Sequence, residues 1–473
     1  MIEYSLSEQI AQNMPSELTL SQASAIDCFC AFLADPDPYA VFVLSGYAGT
    51  GKTAWISAVV KALSLPDISI CLMAPTGRAA KVLRERSGRD AHTIHRVIYR
   101  SVAAMPEEGG TFSLAKGGRS GSLYIVDEAS MIGRGGDDIG LFGSGDLLAD
   151  LLAYVAGTDE AKLVFVGDTA QLPPVGSVSS PALDTRYLSE HYGLNVYTAS
   201  LTEVLRQSLF SGILVNATRL RNTISSDGEI RLDGSYADIH LISGADLIES
   251  LDAAYRRYGR ENVLVVCYSN KRALAYNLGI RSQVLDYEDE IVRGDRLVVV
   301  RNNYAYARSR DKSDFIANGE IVEVRHIGRS SEIYGKRFAE VDVYLEDRDS
   351  EERVTLLKDS LATESAHMNC AERESFYQNV LADYTDEPSV VKRREAVRSN
   401  PYWQALEVKY AYALTCHKAQ GGQWPCVFID MGLFAAVKSD EQLIRWLYTA
   451  LTRASAEVYL INTPATMLDQ RAD

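Results

Sequence analysis

The sequence of 473 residues predicts an α/β fold of two parallel-sheet domains, the second of which is interrupted by a small β-barrel. Two sets of apolar, strand-like runs alternate with helical patterns, one set before about residue 200 and one after it. This alternation is typical of a parallel sheet covered by helices, with functional loops at the carboxyl ends of its strands. The second set is split by a stretch in which polar and apolar residues alternate, as they do in antiparallel strands.

The same runs set the expected domain boundaries. The first α/β domain covers 1–200 and carries a β-hairpin insertion over 99–122. The second α/β domain covers 201–290 and 405–473, and the barrel with a helical appendage fills 291–404 between its two pieces. Alternating polar and apolar residues predict three of the barrel strands, over 296–301, 320–325 and 340–345.

Composition and charge exclude some classes of protein. No run of about 18 consecutive apolar residues occurs, which argues against a transmembrane helix. The first ten residues lack the basic and apolar regions of a signal peptide, and seven cysteines without a CxxC pair indicate reduced thiols. We therefore expect a cytoplasmic protein with no membrane partner. The formal net charge of −15 argues against nucleic acid as a partner, but a local basic groove can bind it whatever the total charge.

The most specific motif is the segment 46–53, Gly-Tyr-Ala-Gly-Thr-Gly-Lys-Thr, which matches the G-x-x-x-x-G-K-[ST] phosphate loop at every position. An apolar strand over 41–44 precedes it and a helical pattern over 54–63 follows, which disfavours a chance glycine-rich turn. Backbone N–H groups of such a loop surround a polyphosphate at the positive end of the helix. We expect Lys52 to reach the β- and γ-phosphates and the Thr53 hydroxyl to ligate Mg²⁺. The expected phosphate contacts are Gly46, Ala48, Gly49, Thr50, Gly51, Lys52 and Thr53.

Two further loops follow buried strands. Asp127 and Glu128 come directly after the run 123–126, and in a phosphate-loop protein the first acid holds the Mg²⁺ shell while the second polarises the attacking water. The alternative is that both acids cap the next helix. Gln171 lies in a loop stiffened by two prolines after the run 163–166, where its side chain can sense the γ-phosphate.

With these motifs in place, the chain resembles superfamily 1B DNA helicases of the RecD-like, Dda-type branch. The resemblance covers nearly the whole chain, and its motifs occur in the family's order. Residues 18–22 resemble the adenine-reading Q motif. The segments that resemble the other motifs are 46–53 (motif I), 74–80 (Ia), 91–96 (Ib), 127–130 (II), 167–176 (III), 201–207 (IV), 413–422 (V) and 448–454 (VI). Two departures are Cys416, where a bulkier apolar residue is usual, and a longer loop over 133–145.

The resemblance implies an ATP-dependent DNA helicase with two RecA-like domains around an ATP cleft, an SH3-like barrel and 5′→3′ polarity. It makes Gln22 the adenine-reading residue and places Gly421 at the nucleotide. Arg206 and Arg453 would reach the γ-phosphate from the second domain, where an arginine stabilises transition-state charge and senses closure. Spacing alone leaves a surface ion pair open for each arginine.

Residues at strand-end loops of both domains are the candidates for DNA contacts. Hydroxyls, amides and a few cations suit phosphate contacts to a strand lying across the two sheets, without base readout. In the resembled family the hairpin acts as a pin at the duplex junction, so its aromatic residue is included. The candidates are Pro75, Thr76, Arg78, Thr93, His95, Phe112, Ser269, Asn270, Thr415, His417 and Lys418. The alternatives are helix caps at Thr93 and Thr415, a core position for His417 and hairpin packing for Phe112.

The expected cofactors are ATP and Mg²⁺, and the expected partners are single-stranded DNA and single-strand/duplex junctions. A replication or repair protein such as a single-strand binding protein is a further candidate partner. Two other functions stay open from the residues alone: a P-loop phosphotransferase, and a nucleotide-switched binding protein without motor activity. A phosphotransferase needs no second strand set carrying Arg206 and Arg453, and an intact Asp127–Glu128 pair argues against a pure switch.

Overall fold

The first α/β domain is built on a six-stranded parallel sheet. The computed structural model describes residues 5–63, 68–101, 112–133, 143–203, 211–224, 229–303, 316–346, 349–365, 367–435 and 440–469. The helices of this domain are α1 (Leu6–Gln12), α2 (Leu20–Ala34), α3 (Lys52–Ala62), α4 (Gly77–Ser87), α5 (Ile94–Ile98), α6 (Leu147–Ala156) and α7 (Thr185–Tyr192). The strands are β1 (Ala40–Gly46), β2 (Ser69–Ala74), β3 (Ala91–Thr93), β4 (Tyr99–Ser101), β5 (Phe112–Leu114), β6 (Ser122–Val126), β7 (Lys162–Gly167) and β8 (Asn195–Leu201).

The order of strands in this sheet is β3-β2-β6-β7-β1-β8. Because helices cover both faces, the central strands are buried on both sides and read as continuous apolar runs. Trp55 of α3 stacks on Phe42 of β1 at 5.8 Å between ring centroids and meets Phe29 of α2 edge to face at 5.0 Å. The carboxyl ends of β6, β7 and β1 lie side by side, so the loops that follow them meet at one edge.

The predicted hairpin insertion begins as an antiparallel pair. Tyr99 of β4 pairs with Leu114 of β5, and Ser101 pairs with Phe112. The residues between the two strands, 102–111, lie outside the described part of the chain, as does the side chain of Phe112. The structure therefore describes the base of the hairpin, and the role of Phe112 as a stacking wedge stays a prediction.

The second half of the chain supplies a five-stranded parallel sheet and a barrel. Its strands are β9 (Ile239–Ile242), β10 (Val263–Cys267), β11 (Arg296–Val299), β12 (Ile321–Ile333), β13 (Lys336–Leu345), β14 (Ser350–Leu357), β15 (Leu406–Tyr410), β16 (Ala413–Thr415), β17 (Trp424–Asp430) and β18 (Ala454–Ile461). Its helices are α8 (Gly212–Ile224), α9 (Leu247–Tyr258), α10 (Asn270–Gln283), α11 (Cys370–Leu381), α12 (Val390–Ser399), α13 (Cys416–Ala419) and α14 (Glu441–Leu451). The sheet order is β16-β10-β17-β18-β9, and β11 to β15 form the closed barrel.

One strand prediction needs correction at the second junction of barrel and sheet. The apolar run 410–414 reads as a single strand of the second sheet, and 405 was the expected start of that domain's second piece. The structure instead puts β15 in the barrel, where Tyr410 pairs with Leu297, and the sheet resumes only at β16, where Ala413 pairs with Val265. Both strands are buried, so hydrophobicity alone does not separate them.

The appended helices α11 and α12 pack on the barrel. Phe376 of α11 and Val397 of α12 are buried against Phe338 and Leu357 of the barrel wall. The predicted α/β fold class is thereby confirmed, with the hairpin base in the first domain and the barrel with its helices in the second. Among the described helices, none is long and apolar enough to cross a membrane.

Candidate nucleotide and nucleic-acid site

The phosphate loop joins β1 to α3 and has the backbone that its glycines predict. Gly49 and Gly51 have φ of 75° and 91°, a region that side-chain-bearing residues rarely adopt. At Gly46 an added Cβ would lie 2.9 Å from Thr50 Oγ1, so no side chain fits there. Lys52 Nζ donates to the carbonyl oxygens of Gly46 at 2.7 Å and Tyr47 at 3.1 Å. The lysine cation is therefore held across its own loop, at the position where a phosphate would meet it.

The paired acids follow β6 at the neighbouring strand end. The Asp127 amide donates to Met73 O at 2.9 Å, and the Glu128 amide donates to Asp127 Oδ1 at 2.9 Å. Glu128 has a left-handed φ of 53°, and within the described part of the chain its buried Oε2 has no hydrogen-bond partner. Burial and the Glu128 charge raise the pKa of Asp127 to about 7, while Lys52 and Arg86 act in the opposite direction.

These acids suit a divalent cation. A carboxylate crowded by another acid and an unsatisfied carboxylate oxygen both gain from a positive charge, and hard oxygen ligands are what Mg²⁺ prefers. Thr53 and Asp127 would supply such oxygens, and the raised pKa of Asp127 fits that role.

Asp168, which follows β7, connects the phosphate loop to the second domain. Its carboxylate is fully buried; Oδ2 lies 4.0 Å from Lys52 Nζ and accepts a 2.6 Å hydrogen bond from the Tyr448 hydroxyl of α14. The same hydroxyl accepts from the Ala48 amide of the phosphate loop at 3.0 Å. Burial and Asp168 raise the pKa of Tyr448 well above its ordinary value, so the hydroxyl stays protonated and can donate.

The rest of the loop after β7 is also bonded across the cleft. The Leu172 amide donates to Thr449 Oγ1 at 2.9 Å, and Gln420 Nε2 donates to Leu172 O at 2.8 Å. Gln171 is buried between these contacts, and its Oε1 accepts no hydrogen bond. Buried polar atoms usually find partners, so this oxygen is available to another group, and γ-phosphate sensing by Gln171 stays a prediction.

Of the two arginines predicted to contact the γ-phosphate, the structure describes only Arg453. Arg206 lies outside the described part of the chain. Arg453 is 2% exposed, and its guanidinium donates to Thr449 O at 3.0 Å, Gly422 O at 3.1 Å and Thr452 Oγ1 at 3.2 Å. Arg453 therefore links α14 to the turn that follows α13, within the second domain. To contact a γ-phosphate, its guanidinium would have to leave these three oxygen acceptors.

Gln22 and Gly421 also bond or pack within the protein. Gln22 Nε2 donates to Thr50 O of the phosphate loop at 3.1 Å, and its Oε1 accepts from the Thr19 amide at 3.1 Å. Gly421 has a φ of 73°, and an added Cβ would lie 2.9 Å from Ala79 Cβ and 3.1 Å from Thr76 Oγ1. The structure places Gly421 against the start of α4, so a nucleotide contact by this residue stays a prediction.

The predicted DNA contacts collect at two pairs of neighbouring strand ends. Pro75 and Thr76 follow β2, and Thr93 ends the adjacent β3; in the second sheet, Ser269 and Asn270 follow β10, and Thr415 ends the adjacent β16. Thr76, Thr93 and Ser269 each accept an amide hydrogen bond as helix N-caps, whereas Thr415 makes no such cap bond. The capping alternative thus describes Thr93 but does not describe Thr415. A capping hydroxyl still has its own hydrogen to donate to a phosphate.

Two histidines predicted to contact DNA are neutral, and the two predicted cations lie against other parts of the protein. Burial lowers the pKa of His95 to about 4, against an opposing effect of Asp150, and burial also lowers the pKa of His417. Both imidazoles are therefore neutral near pH 7. The Arg78 guanidinium lies 3.9 Å from the centroid of the Trp424 ring in the second domain. Lys418 lies in a pocket with Asn270 and Thr415.

Comparison with known proteins finds similarity to helicases over most of the chain. Residues 17–225 match the family model described as an AAA domain, and residues 410–461 match the UvrD-like helicase C-terminal domain. The ATP-dependent DNA helicase dda of Enterobacteria phage T4 is 24% identical over 457 residues, covering 88% of this chain and 93% of that protein. These similarities support the predicted resemblance to superfamily 1B helicases of the RecD-like, Dda type.

Other similarities cover less of the relative or are weaker. The ATP-dependent RecD2 DNA helicase of Deinococcus radiodurans is 32% identical over 205 residues, which are 42% of this helicase chain and 23% of that protein. The structure of the Pif1 helicase from Bacteroides in complex with ADP-AlF3 and ssDNA aligns with 96% of the present chain and over 95% of its own chain. The sequence identity is 15% and the TM-score is 0.47.

Sequence reasoning about this helicase missed two residues at the cleft. Asp168 lies within the segment resembling motif III, and Tyr448 begins the segment resembling motif VI, but neither residue is among the predicted site residues. A signal for Asp168 existed, because an acid directly after a buried central strand lies at the same sheet edge as Asp127. No comparable signal existed for Tyr448, since a partner so distant in sequence follows only from the fold.

Proposed function

We propose that the protein is an ATP-dependent DNA helicase that moves along single-stranded DNA and unwinds duplex DNA by coupling ATP hydrolysis to closure of its two α/β domains. One observation carries the coupling: the Tyr448 hydroxyl of the second domain bonds both to the phosphate-loop amide of Ala48 and to Asp168, which faces Lys52. A phosphate that recruits Lys52 and the loop amides must alter these bonds. The second domain is therefore in direct contact with the groups that bind ATP.

For hydrolysis, Lys52 is the cation that leaves the Gly46 and Tyr47 carbonyl oxygens for the β- and γ-phosphates. Mg²⁺, held by Thr53 and Asp127, would neutralise phosphate charge. Glu128 positions the attacking water and accepts its proton, because its Oε2 is buried and has no other partner. Gln171 and, once released from its carbonyl acceptors, Arg453 act on the γ-phosphate side, and Arg206 has the same proposed role.

For movement, a single strand lies across the strand ends of both sheets and contacts the hydroxyls, amides and cations gathered there. Closure and opening of the cleft then alternate the grip of the two domains on the strand. The family resemblance supports 5′→3′ polarity, and the hairpin over 99–122 is the proposed pin at the junction. A single-strand binding protein as partner and a cytoplasmic location stay predictions.

The rival functions receive less support. A phosphotransferase needs one α/β domain, a lid and an acceptor pocket. In this chain, α14 and the turn after α13, both in the second domain, contact the phosphate loop and the loop after β7. A nucleotide-switched binding protein without turnover does not need a general base, whereas the buried Oε2 of Glu128 is available to accept a proton beside the phosphate loop.

The proposal is tested by the ATPase rate with and without single-stranded DNA, followed by strand displacement on 5′-tailed and 3′-tailed duplexes. We expect DNA to stimulate the ATPase many-fold and only the 5′-tailed duplex to be unwound. An ATPase indifferent to DNA contradicts the motor function. Unwinding of the 3′-tailed duplex alone contradicts only the polarity.

The contact between the barrel and the first domain should matter for unwinding more than for ATP turnover. Lys81 of α4 donates to Glu346 O at the end of β13 at 2.7 Å, and the Glu346 carboxylate accepts three hydrogen bonds from the buried Arg296. Lys81→Ala removes this link between the helix of motif Ia and the barrel, while the phosphate loop is untouched. We expect unwinding to fall several-fold with little change in DNA-stimulated ATPase. An equal loss of both rates in folded protein would contradict a coupling role for the barrel.

A further inference from the structure

A pocket lies where α10, the segment from β15 to α13, and the barrel meet, and two lysines from different domains line it. Lys409 belongs to the barrel strand β15, and Lys418 belongs to α13 of the second α/β domain. Asn270, at the start of the 14-residue helix α10, and Thr415 line the same pocket. Thr363, from the short turn after β14, completes its polar lining.

Among the described residues, no acid forms an ion pair with either lysine of the pocket. Lys409 Nζ donates to Thr363 O at 2.6 Å, which is a neutral acceptor. Lys418 makes no hydrogen bond or ion pair among the residues the structure describes. The acid acting on Lys409 is Glu407, and Glu407 is itself bonded to Arg373 at 2.9 Å.

The remaining charges near the pocket are already paired. Glu407 also lies 3.7 Å from Arg301, so its charge is shared between two arginines. Glu364, next to Thr363, pairs with Lys271 at 3.6 Å. The Tyr410 hydroxyl donates to Glu290 O, and its pKa is raised to about 12, so it carries no charge. An anion entering the pocket would therefore meet two ammonium groups whose charge is not already neutralised.

We propose that Lys409 and Thr363 of the barrel join Lys418, Asn270 and Thr415 in a seat for one backbone phosphate of the bound single strand, so that the barrel itself holds the DNA. This inference rests on the proposed helicase function and adds two residues, Lys409 and Thr363, to the predicted DNA surface. A phosphodiester matches the lining, because two cations, an amide, two hydroxyls and a helix N-terminus all favour an anion and none reads a base.

The seat gives DNA binding a specific dependence on pH. Burial and the nearby Lys418 lower the pKa of Lys409 to about 8, and burial lowers the pKa of Lys418 to about 8. A phosphate binds the charged lysines and so raises both pKa values. Affinity is therefore full below pH 8 and falls as pH rises through 8, with proton uptake on binding near that pH. His95 and His417 are already neutral above pH 7, so they do not produce this change.

The test is the affinity of labelled oligo(dT) for the full chain, measured by fluorescence anisotropy at pH 7 and pH 9.5 over a range of salt concentrations. Lys409→Met keeps the aliphatic stem and removes the charge; we expect about tenfold weaker binding at pH 7 and a salt slope shallower by about 0.7. Lys409→Arg keeps a charge that does not titrate in this range. We expect it to bind as wild type at pH 7 and to lose much of the pH dependence. Lys392→Met, at an exposed lysine of α12, is the matched control and should change neither quantity.

Each other outcome has a distinct meaning. Lys409→Met with wild-type affinity and salt slope, or Lys409→Arg with the full wild-type pH dependence, overturns the seat while the helicase proposal stands. Wild-type protein that does not bind oligo(dT) overturns both. Tight binding of inorganic phosphate without DNA, lost in Lys409→Met, would assign the seat to free phosphate and overturn its assignment to the strand.

Discussion

Replacing Glu128 with Gln is expected to leave ATP binding intact and to lower turnover by about 10²-fold or more, the usual loss for a general base. The substitution keeps the size of the Glu128 side chain, whose Oε2 is buried without a partner among the described residues, and replaces the carboxylate with a neutral amide that cannot accept the proton. It also removes the like charge that raises the pKa of Asp127, so the remaining carboxylate should hold Mg²⁺ at least as well. The measurements are the affinity for a fluorescent ATP analogue and the single-turnover rate of hydrolysis with single-stranded DNA present.

Lys52→Ala is the contrasting variant. Lys52 would contact phosphates already in the ground state, so its loss should weaken ATP binding and turnover together. Glu128→Gln acts on the chemical step alone, and the two variants should therefore separate binding from hydrolysis. Near wild-type turnover by Glu128→Gln would show that another group takes the proton, and the role assigned to Glu128 would then be wrong.

The sequence predicted the nucleotide edge of the first domain because its signals are local. A strand, a glycine-rich loop and a helix follow one another over 40–62, and the paired acids come directly after the next buried strand. Parallel sheets bring such strand ends together without further information. The same reasoning predicted the sheet-end position of Thr76, Thr93 and Thr415.

What the sequence did not predict depends on packing between distant segments. The run 410–414 is apolar throughout, so the passage from β15 of the barrel to β16 of the sheet has no break in hydrophobicity to mark it. Arg453 and Arg78 look like free cations in the sequence, but one is buried among carbonyl oxygens and the other lies on Trp424. Lys409 is not among the predicted DNA contacts, because its position beside Lys418 follows only from the packing of the barrel on the second sheet.

Tyr448→Phe is expected to uncouple the two domains while leaving the fold nearly intact. The ring is buried in the core of the second domain and phenylalanine keeps its packing, but the variant loses both the bond to Asp168 and the acceptor for the Ala48 amide. Leaving a buried carboxylate without one of its donors costs about 1–3 kcal/mol. Because these bonds cross the cleft, the cost falls on the arrangement in which the two domains are in contact. A shift of about 1.4 kcal/mol changes the population of that arrangement tenfold.

The matched control for this prediction is Tyr412→Phe, because Tyr412 makes the same pair of bonds without crossing the cleft. Its buried hydroxyl donates to Asp295 at 3.0 Å and accepts from the Arg296 amide at 3.2 Å, where the second domain meets the barrel. Both variants should lower the melting temperature by similar small amounts. Only Tyr448→Phe should reduce the stimulation of ATPase by single-stranded DNA, by about tenfold. If the two variants lower stability by the same amount and neither changes the stimulation of ATPase by DNA, Tyr448 is a packing residue. The nucleotide site and the second domain would then be coupled through the bonds of Thr449 and Gln420 to the loop after β7.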